Sequence, residues 1–127
     1  MQLKHLKKFT SINEVSIEYL LDVLSLWETD KVDASEILLF AEQLHDMGPG
    51  FPLYPNNDIR AVIVSVLEAF VMIYNNPTIK DDIPALRNSI IRANVSPKEA
   101  LQFLESYWNT IDWNNRLQRQ IDNLKTN

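Results

Sequence analysis

The stretch NDIRAVIVSVLEAFVMIY, residues 57–74, contains the longest apolar tract of the chain. Asn57 and Asp58 are residue types that cap the start of a helix. Apolar side chains then fall on nearly every face of a helix drawn through the stretch, although many are β-branched and would also suit a strand. Its length and the pair Glu68-Ala69 favour a helix. A helix that is apolar all round predicts the central element of the fold.

Two helices are predicted on the N-terminal side of this stretch. Residues 11–14, Ser-Ile-Asn-Glu, have the pattern of a capping box and predict an amphipathic helix over about 14–28. Residues 33–36, Asp-Ala-Ser-Glu, repeat that pattern and predict a helix that ends near Met47. A short polar break separates the two helices, so we expect an antiparallel hairpin.

Three more helices are predicted by the start and stop signals around and beyond the central stretch. The sequence Asn75-Asn76-Pro77 ends the central helix near Tyr74, and Asp81 or Asp82 with Pro84 begins the next, which Asn94 closes. Residues 96–99, Ser-Pro-Lys-Glu, are the strongest helix start in the chain. The last helix follows, with apolar positions Trp113, Leu117, Ile121 and Leu124.

The predicted fold is therefore all-α, with six main helices in three helical hairpins over about 14–47, 57–93 and 96–124. The chain has only two glycines in 127 residues, which disfavours a sheet with many tight turns. At this length we expect a single domain over residues 1–127, with residues 1–10 a mobile basic N-terminal segment. Three unlike hairpins favour a compact orthogonal bundle; a short α-solenoid-like stack is the alternative.

Composition excludes several classes of function. The chain has no cysteine, which excludes disulfides and thiol chemistry and fits a reducing compartment. A net charge of −5 argues against nucleic acid as a partner. The first eight residues lack the apolar core of a signal peptide, and the apolar tract is shorter than the roughly 20 residues that span a bilayer. We therefore expect a cytoplasmic protein that does not bind membranes.

Candidate catalytic groups are few. His5 and His45 are the two histidines, and no serine lies in a glycine-flanked elbow. Glu42 and His45 have the Glu-x-x-His spacing of di-iron bundles, but those sites need the pair twice with two further glutamates. Asp81 and Asp82 are better explained as helix-start charges. We therefore predict no catalytic residue, no cofactor and no metal, leaving an enzyme that uses only carboxylates as a minor alternative.

Charge is distributed unevenly along the chain. Residues 11–58 carry ten acidic side chains against Lys31 alone, whereas residues 1–10 and 59–127 are net basic. The acidic hairpin is either a solvated face or a docking surface for a basic protein. On the second interpretation the candidate partner-binding acids are Glu18, Asp22, Asp30, Asp33 and Glu36.

The loop over residues 48–55 supplies a second candidate surface. It holds both glycines and three of the six prolines. Prolines stiffen a loop, so Phe51, Leu53 and Tyr54 could be presented to a partner at little entropic cost. The alternative is that these side chains fold back and cover the bundle.

Residues 26–32, Leu-Trp-Glu-Thr-Asp-Lys-Val, lead into residues 36–42, Glu-Ile-Leu-Leu-Phe-Ala-Glu. This pair of stretches resembles the first hairpin of small helical immunity proteins encoded beside bacterial polymorphic toxins. The resemblance implies a cytoplasmic, non-enzymatic protein that binds and neutralises a cognate toxin. We therefore predict an acidic immunity or antitoxin-type inhibitor of a basic protein partner. The alternative is a structural or adaptor subunit that forms homo-oligomers through an apolar helix face.

Overall fold

The computed structural model describes residues 3–46, 50–72 and 78–126, with side chains as far as residue 122. These residues form six α-helices and no strand, which confirms the predicted all-α class. The helices are α1 (Ile17–Glu28), α2 (Ala34–His45), α3 (Ile59–Val71), α4 (Ile83–Ala93), α5 (Pro97–Asn109) and α6 (Trp113–Thr126). Two short 3₁₀ turns, Ile12–Glu14 and Lys80–Asp82, precede α1 and α4.

The helices pack as a compact bundle around α3, which contacts α2, α4 and α5. The most extensive contact joins α4 to α5, which belong to different predicted hairpins, and α1 packs on α4. Contacts between helices that are distant along the chain are typical of a bundle rather than of a stack of neighbouring pairs. Helix α6 takes no part in comparably extensive packing with another helix.

The central helix has the buried core that its sequence predicts. Val62, Val66, Leu67 and Phe70 are completely buried on α3. Phe70 packs edge to face against Trp27 of α1, with ring centroids 6.3 Å apart. The predicted end of this helix near Tyr74 lies outside the described residues, as do Met47 and the Asn75-Asn76-Pro77 break.

Three of the predicted helix caps are confirmed, and one lies elsewhere. Asp33, Asp58 and Ser96 each accept a hydrogen bond from a backbone amide in the first turn of α2, α3 and α5. The predicted start of α1 is wrong. Ser11 caps the 3₁₀ turn, and Ser16 caps α1 by accepting from the amide of Tyr19 at 3.1 Å.

The N-terminal residues that we expected to be mobile are packed against the bundle. Leu6 and Phe9 are each only 5% exposed and belong to the core. Phe9 packs edge to face against Tyr19 and Phe40, with ring centroids 5.1 and 6.2 Å away. The lysines of this segment therefore flank two buried apolar side chains. The charge of the segment alone does not indicate that it packs against the bundle.

Asp82 has a different role from the helix cap that the sequence suggested. It lies at the N-cap position of α4, but its side chain makes no cap bond there. Its carboxylate is fully buried and accepts two hydrogen bonds of 2.7 Å from the guanidinium of Arg116 on α6. It also accepts from the Tyr107 hydroxyl of α5 and from the Ile79 amide, the latter at 2.9 Å.

We expect Phe70→Ala to lower the free energy of unfolding by about 3–5 kcal/mol, because a buried aromatic side chain leaves a cavity that its neighbours fill only in part. Urea denaturation of the purified variant measures this loss. A loss of free energy of unfolding under about 1 kcal/mol would show that Phe70 is not a core residue.

We expect Ser96→Ala to lower the free energy of unfolding by about 1 kcal/mol. The serine hydroxyl oxygen accepts from the amide of Glu99 at 3.2 Å, and alanine leaves that amide without its cap. Ser106→Ala, an exposed position inside the same helix, is the matched control and should be neutral or slightly stabilising, because alanine favours helix. Equal effects of the two substitutions would contradict the assignment of the cap.

Candidate functional site

The turn between α1 and α2 holds one of the predicted acids in an uncommon backbone conformation. Asp30 has a φ of 61°, in the left-handed region that glycine usually occupies. The amides of Asp30 and Lys31 donate to the carbonyls of Trp27 and Leu26, which is the paired bond pattern of a Schellman motif. Asp30 therefore ends α1, and its exposed carboxylate pairs with Lys80.

The same turn forms one wall of a recess of about 430 Å³. We call it the turn recess. Asp30 and Asp33 line it together with Trp27, Val32 and Lys80. The structure thus brings two of the five predicted acids into one concave surface, with one lysine beside them.

Two further predicted acids lie together on the outer face of α1. Glu18 and Asp22 are four residues apart, so they share one side of the helix, and both are exposed. Within the part of the chain that the structure describes, neither carboxylate has an ion-pair partner. They are the acids most available to a partner.

Much of the negative charge of residues 11–58 is compensated inside the molecule. In the described ranges three of its ten carboxylates form ion pairs with lysine or arginine, and two more lie within 3.2 Å of a histidine nitrogen. Glu28 pairs with Arg87 of α4 at 2.9 Å, and Asp30 pairs with Lys80 just before α4. Exposed pairs of this kind stabilise a fold by only about 0–1 kcal/mol, but they reduce the field that a partner meets.

Glu36 is not part of an exposed docking surface, contrary to the prediction. It is only 8% exposed, and its carboxylate accepts from the backbone amides of His5 and Leu6 at 2.6 and 2.7 Å. Burial favours the neutral acid, but these bonds and one with the His5 imidazole outweigh it and lower the pKa of Glu36. Glu36 attaches the N-terminal segment to α2.

Of the three candidate side chains in the proline-rich loop, one is exposed and two pack against the rest of the molecule. Leu53 is 98% exposed. Phe51 packs against the core and lies edge to face on His45, with ring centroids 5.1 Å apart. Tyr54 is half-buried under the guanidinium of Arg60, 4.5 Å from its ring centroid. Only Leu53 remains a presented apolar side chain.

A larger cavity lies between α3, α5 and the start of α6, and no sequence motif predicted it. It has a volume of about 600 Å³, within the range of ligand sites. We call it the α5 groove. Its apolar lining includes Met72, Leu101, Leu104, Trp108 and Trp113. Its charged lining consists of Glu68, Lys98 and Glu105.

The two tryptophans form one wall of the α5 groove. Their ring centroids lie 5.6 Å apart with a tilt of 36°. Trp108 also contacts Tyr107, whose pKa is raised to about 12 by burial and by its hydrogen bond to Asp82. Trp27 is buried, whereas Trp108 and Trp113 are half-buried.

Glu68 is the carboxylate at the α3 side of the groove. Partial burial raises its pKa, and the nearby His45 opposes that rise. Among the described residues it has no ion-pair partner, although Lys98 and Glu105 line the same cavity. Its side chain is nevertheless exposed, so Glu68 is a carboxylate at the edge of the groove that no lysine or arginine of the described residues pairs with.

The sequence predicts no metal site, because the Glu-x-x-His pair occurs once and di-iron sites need it twice. His45 ends α2 and lies 3.0 Å from Asp46, measured from Nδ1 to Oδ1. No group of three or more histidines and carboxylates suited to a metal ion occurs in the described ranges. Across the same ranges, none of the helices has the length and apolar character needed to span a bilayer.

Comparison with protein-family models, with curated proteins and with solved structures finds no match for this chain. The two cavities and the charges around them are therefore the features of the molecule that bear on its function.

We expect Glu68→Gln to raise the melting temperature at pH 7. Neighbouring side chains raise the folded-state pKa of Glu68 above its usual range, so folding favours its neutral form, and the exposure of the side chain keeps the effect small. The stability that this preference contributes is present below pH 4.5 and is lost as pH rises through the raised pKa. The difference between wild type and variant should therefore shrink toward pH 4.

Thermal unfolding between pH 4 and pH 8 measures this effect, with Glu105→Gln as the matched control for removing a carboxylate from the same groove. A Glu68→Gln protein that is less stable than wild type at pH 7 would show that the ionised carboxylate is satisfied in the fold.

Proposed function

We propose that this protein is a non-catalytic protein-binding module, an acidic inhibitor of the immunity or antitoxin type that binds a basic protein partner. The observation that carries the proposal is the surface formed by the turn recess and the neighbouring helix α1. Asp30 and Asp33 line the recess, and Glu18 and Asp22 are exposed on α1 without an ion-pair partner among the described residues.

The chemistry of this surface suits a basic partner. Complementary charge speeds the encounter of two proteins and disfavours wrong partners. Trp27 and Val32 form the floor of the recess, but each is only 3% exposed, so the surface that a partner meets there is mainly polar. The resemblance of residues 26–42 to the first hairpin of immunity proteins covers this same turn and supports an inhibitor over other binding modules.

The conformation of Asp30 also supports a binding role for the turn. Aspartate is one of the few residue types other than glycine that often adopt a φ of 61°, so the turn keeps its geometry and also presents a carboxylate at the recess. The carboxylate gains an ion pair with Lys80, which is worth little at an exposed site. A partner that needs a carboxylate at the recess would account for the aspartate.

We expect Glu18→Gln combined with Asp22→Asn to slow association with the partner by about threefold to tenfold at low salt, because peripheral charges act mainly on the encounter rate. Dissociation should change less. The matched control is Glu99→Gln combined with Asp122→Asn, which removes the same charge from exposed positions on α5 and α6.

The partner is found by capture from the source cells and by testing the product of the neighbouring gene. Stopped-flow association kinetics then compare wild type and both variants at low salt and at 1 M salt, where the Debye length is about 3 Å. Association that is independent of salt, or equally slow in both variants, would contradict docking through α1 and the turn recess. A partner that is active while bound would contradict the inhibitor function.

A second candidate is a subunit that forms homo-oligomers. Ile91 and Val95 lie four residues apart at the end of α4 and are 53% and 87% exposed. Sedimentation equilibrium of wild type and of Ile91→Gln tests it. A dimer that dissociates in the variant favours this candidate, and a monomer at all concentrations excludes it.

A further inference from the structure

The α5 groove combines two features that together select one kind of ligand. Its wall is the pair Trp108 and Trp113, half-buried and in contact with each other. Its α3 side carries the exposed carboxylate of Glu68. A flat cation fits both features, because aromatic faces attract cations and a carboxylate forms charge-assisted hydrogen bonds with a positive group.

The charge of the lining favours a cation over an anion. Glu68 and Glu105 stand against Lys98 alone, so the charged side chains sum to −1. None of the three forms an ion pair with another described residue. A bound cation would therefore meet carboxylates that are not already occupied by an intramolecular partner.

The molecule contains an example of the contact that the groove offers. The guanidinium of Arg116 lies 5.3 Å from the ring centroid of Trp113. Arginine is more weakly hydrated than lysine, stacks on aromatic faces and presents a planar fork to a carboxylate. These properties suit a groove with a tryptophan wall and carboxylates at its edge better than the compact ammonium of lysine does.

We propose that the α5 groove binds an arginine side chain of a protein partner, with the guanidinium at Glu68 and against the rings of Trp108 and Trp113. The identity of the occupant as part of a protein rests on the proposed function. Thr78 lines both the α5 groove and the turn recess, so the two cavities adjoin. A basic partner bound at the recess would therefore lie next to the groove.

The groove can be tested without the partner by using a matched pair of small probes. N-acetyl-arginine amide carries the guanidinium, and N-acetyl-citrulline amide is its neutral isostere. Each is titrated into ¹⁵N-labelled protein while the indole N–H signals are followed. Trp108 and Trp113 report on the α5 groove, whereas Trp27 lines the turn recess and reports on that site.

We expect the arginine probe to shift the Trp108 and Trp113 signals in a saturable way, with the citrulline probe at least about tenfold weaker. Glu68→Gln should weaken arginine binding about tenfold, since it removes the charge-assisted hydrogen bond and keeps the shape of the side chain. Lys98→Gln should strengthen binding, because it removes the cation that competes for the same carboxylates. Asp122→Asn, an exposed position of α6 that lines neither cavity, is the control and should leave binding at the groove unchanged.

Equal affinity for the two probes, or full arginine binding in Glu68→Gln, would overturn the inference. So would shifts confined to Trp27, which would place arginine in the turn recess alone. Failure of the proposed function looks different: the arginine probe would still bind at Trp108 and Trp113, while no basic protein partner would associate through α1 and the recess.

Discussion

The buried ion pair between Asp82 and Arg116 is the constraint on which the C-terminal half of the molecule depends. It joins the 3₁₀ turn before α4 to α6, and the Tyr107 hydroxyl adds α5 to the same cluster. Desolvating two charges is costly, so such a pair is a weak source of net stability, whereas removing one partner costs about 3–5 kcal/mol. Its contribution is to fix where α6 lies.

The position of α6 in turn shapes the α5 groove. Trp113 is the first residue of α6, three positions before Arg116, and it supplies one of the two rings of the aromatic wall. Helix α6 lacks the extensive helix packing that holds α1 to α5 in the bundle. Arg116 therefore links the buried polar cluster to the groove: it bonds Asp82 and also lies over the Trp113 ring.

The sequence predicted what depends on periodicity and local hydrogen bonds. The all-apolar stretch at 57–74 predicted the central helix, and the caps Asp33, Asp58 and Ser96 lie where their patterns placed them.

The sequence could not predict contacts between residues far apart in the chain. Glu36 looked like an exposed acid because nothing local indicates that the amides of residues 5 and 6 reach it, 30 and 31 positions away. The α5 groove was missed for the same reason, since three helices contribute to it.

Native-state hydrogen exchange of wild type and of Arg116→Met tests most directly whether this polar cluster positions α6. Methionine keeps an apolar stem but leaves Asp82 without its guanidinium. We expect the amides of α6 to lose protection by a larger factor than those of α3 and α4, because the bundle core does not depend on α6. Unchanged protection in α6 would show that its apolar contacts hold it in place. Equal loss in α3, α4 and α6 would show that the ion pair belongs to the common core. Either result would contradict the account.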